Sequence, residues 1–163
     1  FFTDQDEKRL LYELSQMSNP NHLRLTKLAL TTGFRRSELL SLTWRNIDLK
    51  KRVIYIHRKN CAAIDDSSVL RLVPLPEQAE KILEESNERN GKVIELSKGA
   101  ARNGFDKARK RAGLQTLRFH DLRHIAISRM WSSGMNALEI SACSGHRDIK
   151  MLMRYSHYEL SLL

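Results

Sequence analysis

Leu10, Leu11, Leu14 and Met17 recur at helical spacing behind Thr3-Asp4-Gln5-Asp6, which reads as an N-terminal cap. Asn19-Pro20-Asn21 breaks that helix, and a second begins near His22, presents Leu25, Leu28 and Ala29, and stops at Gly33. A short helical stretch covers Arg36 to Leu42. The period then changes. Ile47 and Leu49, a charged turn at Lys50-Lys51-Arg52, and the β-branched and aromatic run Val53-Ile54-Tyr55-Ile56 predict an antiparallel pair. Val69-Leu70-Arg71-Leu72-Val73 predicts a further strand, ended by Pro74 and Pro76. From Pro76 onward the pattern is helical: Ala79, Ile82 and Leu83 in a helix running to about Asn90-Gly91, then Lys98 to Ala112, closed by Gly113. A helix from His120 to Trp131 carries Leu122, Ala126 and Met130 as its buried stripe, with Ile125 beside them. Leu138, Ile140 and Ala142 precede Gly145 in another, and a last helix is expected from Asp148 to about Tyr158 with Ile149, Leu152 and Met153 inward.

The expected fold class is therefore α+β and mainly α, one domain over residues 1–163 with a small three-stranded antiparallel sheet. No internal repeat, low-complexity stretch or linker interrupts it. A length of 163 residues is enough to bury a core, and 41% hydrophobic with 29% charged residues is the balance of a globular chain. No apolar run approaches the ~18 residues of a membrane span. Cys61 and Cys143 lack metal-ligand or framework spacing, so neither a disulfide scaffold nor a zinc finger is supported. No signal peptide is evident, and a reducing, cytoplasmic setting is expected. The chain starts at Phe1, so a piece of something longer is expected.

Charge sharpens the picture. Twenty-eight bases against nineteen acids give +9, and residues 101–163 hold eleven of the bases and five of the acids. Arg102, Lys107, Arg109, Lys110, Arg111, Arg118, Arg123 and Arg129 face only Asp106 and Asp121 along the sequence. Such an excess attracts polyanions, nucleic acid first. By itself it suits a solubilising surface equally well. Few aromatics lie near it, so stacking on single-stranded bases is not the expected mode.

Phosphate as a partner directs attention to five places. Arg35 follows the helix-ending Gly33, where a side chain projects from a turn. His120 and Arg123 are neighbours on one helical face. His146 follows Gly145, Tyr155 lies some two turns further on, and Lys59 sits beyond the strand ending at Ile56. Taken singly, each is an ordinary surface or packing residue. Their order and local contexts in one chain are what change the weighing.

Thr32-Gly33-Phe34-Arg35-Arg36-Ser37-Glu38-Leu39-Leu40-Ser41-Leu42-Thr43-Trp44, with Asn46-Ile47-Asp48 after it, resembles the first arginine box of the tyrosine recombinases, the phage-integrase and Xer-like enzymes. Arg58-Lys59 before Arg71-Leu72-Val73-Pro74-Leu75 is similar to that family's lysine hairpin. His120-Asp121-Leu122-Arg123-His124 resembles its second box, and Ser144-Gly145-His146 followed by Arg154-Tyr155 its last. The resemblance covers about Thr3 to Tyr158 and implies a helical DNA breaking-and-rejoining catalytic domain. By register from the glycine, it makes Arg35 and not Arg36 the catalytic arginine. It further implies that Tyr155 attacks a DNA phosphodiester to give a 3′-phosphotyrosyl link and a free 5′-hydroxyl. Arg35 and Arg123 would clamp the non-bridging oxygens, Lys59 would protonate the leaving oxygen, His120 would accept or shuttle the tyrosine proton, and His146 would donate to the phosphate. Glu38 would orient the site, although a helix-face salt bridge is an equal reading. His124 is expected to be structural or a hydrogen-bond partner, and His157 is unassigned. Tyr158, on the same helical face, is the competing nucleophile.

No cofactor and no metal are implied. The expected partner is double-stranded DNA, with four protomers on DNA for a full-length protein of a mobile element, and a monomer for this chain alone. A nucleoid-associated place in a bacterial or phage setting goes with that reading. Three departures from the family pattern stand out. Asn60 to Ser68 is longer than the tightest hairpins and carries Asp65-Asp66, Ser144 replaces a more usual leucine (a minor change), and eight residues follow Tyr155. The usual N-terminal DNA-clamping domain is not expected in this chain. Two other readings stand beside it: relaxation of supercoils by a type IB topoisomerase, and a basic DNA-binding module with relic residues. The order of the boxes and the presence of all six polar residues favour the recombinase.

Overall fold

A computed structural model of the chain describes residues 2–57, 70–87 and 89–156. Lys59, Cys61, Asn60 to Ser68, His157 and Tyr158 lie outside them. Helix α1 (Asp4–Ser15) starts in a capping box, the Thr3 hydroxyl accepting from Asp6 N and the Asp6 carboxylate accepting from Thr3 N. Leu10 and Leu14 are fully buried on its inner face. Helix α2 (Asn21–Thr32) ends at Gly33 with φ 66°, a left-handed cap that suits a residue without a Cβ, and α3 (Arg36–Ser41) follows two residues later. Strands β1 (Ile47–Asp48), β2 (Val53–His57) and β3 (Leu70–Pro74) form an antiparallel sheet in that order, with Ile54 opposite Ile47 on one side and Val73 on the other. Helices α4 (Glu77–Glu84), α5 (Lys98–Arg111), α6 (Phe119–Ser132), α7 (Ala137–Ser144) and α8 (Met153–Ser156) complete the described order, with a 3₁₀ turn at Ile149–Met151.

Helix α2 is the hub. It packs on α6 most extensively and also touches α1, α3, α4 and α5, while α6 in turn carries α7 and α8, and β3 packs on α7. Leu25, Leu28, Ala29, Phe34, Leu39, Leu122, Ile127 and Ile140 are buried in one core at this junction. The end of α2, the start of α6 and the end of α7 thus meet at one place. That is where the polar residues of the three sequence boxes lie.

Several elements differ from expectation. Helix α4 stops at Glu84 rather than near Gly91, because the chain leaves it to lay Val93 and Ile94 into the core. The backbone there bonds Leu42 and Trp44, with Trp44 N to Gly91 O and Val93 N to Leu42 O both at 3.0 Å. The expected helix from Asp148 begins instead as the 3₁₀ turn, the Asp148 side chain accepting from Lys150 N at 2.9 Å. That winding points Leu152 inward and turns Ile149 and Met153 out to 39% and 50% exposure, against the expectation that all three face the core.

The basic stretch is less free than its sequence suggests. Arg109 pairs with Asp106 at 2.7 Å, Arg118 with Asp121 at 3.0 Å and Arg129 with Glu7, and Arg123 is buried. Arg102, Lys107, Lys110 and Arg111 of that stretch remain exposed on α5, with Lys98 at its start. Among the described residues, no helix is long and apolar enough to cross a membrane.

Candidate active site

Arg35 is the N-cap residue of α3, extended at φ −67° and ψ 146°, so its side chain leaves the backbone just as the chain turns from α2. Glu38 fixes it twice. One carboxylate oxygen accepts Arg35 N–H at 2.8 Å, and the other accepts from Arg35 Nη1 at 3.2 Å. Glu38 is 8% exposed, so its i,i+3 salt bridge with Arg35 is made by a buried carboxylate. The same Oε1 also lies 3.4 Å from Nη1 of Arg71, a buried residue of β3. Alternation along β3 accounts for Arg71: Val73 and Leu75 face the core, so Arg71 does too, and Leu72 faces out. Its guanidinium sits 5.5 Å over the Phe34 ring, and its Nε and Nη2 are buried without a hydrogen-bond partner. Burial pulls the Arg71 pKa down, and the Glu38 charge opposes that pull.

Arg123 enters from α6. Its Nη1 donates to Gly33 O at 2.7 Å, one of the carbonyls a helix end leaves unpaired, so α2 and α6 are joined at the site. Burial and then the Arg35 charge lower its pKa to about 10, which leaves it cationic at neutral pH. Its Nη2 lies 3.3 Å from Nδ1 of His146. The Ser144 hydroxyl, fully buried, lies 2.7 Å from the same nitrogen. Burial first, then Arg123 and Arg35, hold the His146 pKa near 4, so the ring is neutral at pH 7.

Two predictions arise here. Gly145 caps α7 at φ 73°, and a Cβ on it would overlap the Arg71 guanidinium. The left-handed conformation alone costs a non-glycine residue about 1–2 kcal/mol. Gly145→Ala should therefore lower the denaturation midpoint by more than that cost implies, and Gly134→Ala, at φ 88° with open space around it, should show the backbone cost by itself. Equal losses would contradict the packed contact with Arg71. The second concerns acid. Above pH 6.5 His146 is neutral in both the folded and unfolded chain; between 6.5 and about 4 the unfolded chain binds a proton that the folded one refuses. Stability should fall as pH drops through that window, and the slope should be shallower in His146→Asn. Urea denaturation midpoints across the window test this, and identical slopes would contradict it.

Tyr155 is half-buried on α8, and its hydroxyl is hydrogen-bonded to Nδ1 of His124. The two rings stack at 5.6 Å and 29°. His120, one turn earlier on α6, is exposed and meets the His124 ring edge-on at 4.9 Å. The hydroxyl also lies within the field of Arg123. The geometry thus gathers Arg35, Glu38, Arg123 and His146 around Arg71, with His120, His124 and Tyr155 alongside. Lys59 lies outside the described residues. Arg36 turns away, its guanidinium 5.8 Å from the Phe119 ring centroid. Among the described residues, no group of three His, Cys, Asp or Glu side chains is placed to hold a metal ion.

The sequence profile of the Phage integrase family matches residues 1–160. The chain belongs to that family. It is 38% identical over 133 residues to a shufflon-specific DNA recombinase of Escherichia coli, aligning 80% of this chain with 33% of that protein. It is 30% identical over 147 residues to the integrase of Salmonella phage P22, 82% of this chain against 38% of that one. The chain thus spans well under half the length of these curated relatives. Among solved structures, the catalytic domain of bacteriophage HP1 integrase superposes with a TM-score of 0.77 at 26% identity, covering 97% of this chain and 87% of that domain. The mainly helical fold with its small antiparallel sheet is thus that of an integrase catalytic domain.

Two residues near this site escape the sequence reading or are undervalued by it, while His124 is the hydrogen-bond partner that reading allows for. Arg71 was noticed only as part of a strand, although its inward register was available from Val73 and Leu75. Ser144, read as a minor departure, is hydrogen-bonded to His146. The Tyr155 partner depends on how α8 docks on α6, for which the sequence carries no local signal.

Proposed function

We propose that this chain is the catalytic domain of a site-specific DNA recombinase that cuts and rejoins duplex DNA through a 3′-phosphotyrosyl intermediate. The observation that carries the reading is the charge balance of the cleft: three guanidinium groups, Arg35, Arg71 and Arg123, share one buried carboxylate, Glu38, beside the hydroxyl of Tyr155. A net positive cluster in which Arg71, Arg123 and Glu38 are buried suits an anion with charge developing on its oxygens. Arg35 and Arg123 hold the non-bridging oxygens of the scissile phosphate. Their forked donors match that geometry and stay charged. His146, neutral in the free protein, donates from Nε2 when Nδ1 accepts from Ser144, and a phosphate in the cleft draws its pKa upward.

Tyr155 attacks phosphorus, the bond to the 5′-oxygen breaks, and Lys59 supplies that oxygen's proton. The family resemblance assigns the tyrosine proton to His120. Religation is the same step reversed, and the ester conserves the energy of the broken bond. The relatives' names, recombinase and integrase, favour strand exchange over supercoil relaxation and over an inert binding module. Exchange between two duplexes calls for four protomers in the full-length protein, in the cytoplasm of a bacterial host.

The test uses a pool of nicked duplexes of randomised sequence, incubated with the longer parent protein in the presence of a chelator. A nick next to the cut lets a short fragment diffuse away, so the covalent adduct accumulates. A protein–DNA species that survives denaturant is expected. Duplex binding without any such species would overturn the reading.

A further inference from the structure

We propose that His124, rather than His120, is the residue that takes the proton from the Tyr155 hydroxyl. This rests on the reading of Tyr155 as nucleophile. The hydroxyl is bonded to His124 Nδ1, and the stacked rings at 5.6 Å keep oxygen and nitrogen facing one another. The packing of α8 on α6 produces that contact, with His124 half-buried against Tyr155 and His120 exposed, its ring edge-on to that of His124. That hydrogen bond to the tyrosine hydroxyl is thus made by His124 and not by His120.

The surroundings suit an acceptor. On α6 itself His124 has Asp121, Arg118, Arg123 and His120 around it; from α8 it has Tyr155, and from the turn after α7 His146. Burial lowers its pKa, Asp121 works against that, and Arg123 and Arg118 lower it further. A lowered pKa favours the neutral ring, and in the tautomer with its proton on Nε2 the ring accepts the tyrosine hydroxyl at Nδ1. In the step itself, the O–H proton of Tyr155 passes to Nδ1 and the oxygen lone pair forms the bond to phosphorus. The P–O5′ bond breaks, and its electron pair is protonated by the acid on the leaving side. The imidazolium keeps its proton until religation returns it to the tyrosine oxygen. General-base help of this kind contributes about a hundredfold or more to a rate.

The test has two arms. In the first, the chain with ¹⁵N-labelled histidines is examined by NMR without DNA. At neutral pH the His124 Nδ1 signal should be that of an unprotonated nitrogen accepting a hydrogen bond. Tyr155→Phe should move it to the position of a free acceptor and leave His146 unchanged. A proton on Nδ1, or no response to Tyr155→Phe, would overturn the proposal.

In the second arm, adduct formation on the nicked pool is followed against pH. His124→Gln should slow it about a hundredfold at pH 7, with the gap closing as pH rises toward the tyrosine's own ionisation, and His120→Gln should cost less. A wild-type rate in His124→Gln, a loss equal at every pH, or a larger loss in His120→Gln would each overturn the proposal and leave the recombinase reading intact. Failure of the unaltered protein to form any adduct would count against the recombinase reading instead, and the NMR arm would still decide the proton acceptor.

Discussion

Tyr155→Phe should leave folding and duplex affinity almost unchanged and remove the covalent adduct completely. The ring packs against the core, and phenylalanine keeps that contact. What is lost is one oxygen and its hydrogen bond to His124, worth about 1 kcal/mol net in a half-buried setting. The chemistry has no such margin, because phenylalanine has no oxygen with which to form the ester. Thermal denaturation, a duplex-binding titration and a denaturing gel on the nicked substrate together check the three parts. An adduct that survives the substitution would move the nucleophile to another residue.

Arg35→Lys should reduce cleavage by roughly 10²–10³-fold, the scale of one preorganised donor lost from a developing oxyanion, with little loss of binding. The guanidinium is held by Glu38 from a fixed N-cap position, so its fork is aimed before DNA arrives. An ammonium on a flexible stem keeps the charge and loses the paired geometry. Binding draws on many phosphates and barely notices one. Arg36→Ala should be much milder, since its described contact is a cation–π approach to Phe119, worth about 0.5–1 kcal/mol at an exposed site. Single-turnover cleavage and a binding isotherm on the same DNA separate the cases. Equal losses of binding and cleavage in Arg35→Lys, or an essential Arg36, would show the register from Gly33 to be wrong.

Much of this was readable from the chain because the informative features are local. Gly33 ends α2 in the left-handed conformation, and the turn after it makes Arg35 the N-cap of α3, where Glu38 bonds it. The expected stripe of α6, Leu122, Ala126 and Met130, is buried, but Arg123 is buried with it while His120 is exposed, so the two expected on one face differ in burial. What stayed hidden depends on long-range packing. Arg71 reaches Glu38, thirty-three residues earlier in sequence, only because β3 turns that face inward against α3 and α7. Glu38 has the same spacing from Arg35 whether it faces solvent or the core, so periodicity left its two readings even. Helix α4 was overextended because the run after Glu84 is polar enough for an exposed helix, while the burial of Val93 and Ile94 decides otherwise. In the last segment, three apolar residues suggested an inward face, and the 3₁₀ turn leaves only Leu152 of them buried.

The most direct test of the central claim is peptide mapping of the trapped adduct. The protein is captured on a nicked duplex, the DNA and protein are digested, and the peptide carrying the nucleotide remnant is sequenced by mass spectrometry. The account predicts a phosphotyrosyl remnant on Tyr155, in the peptide that follows the Gly145-His146 cap. A remnant on Tyr158, or on any other residue, would contradict it.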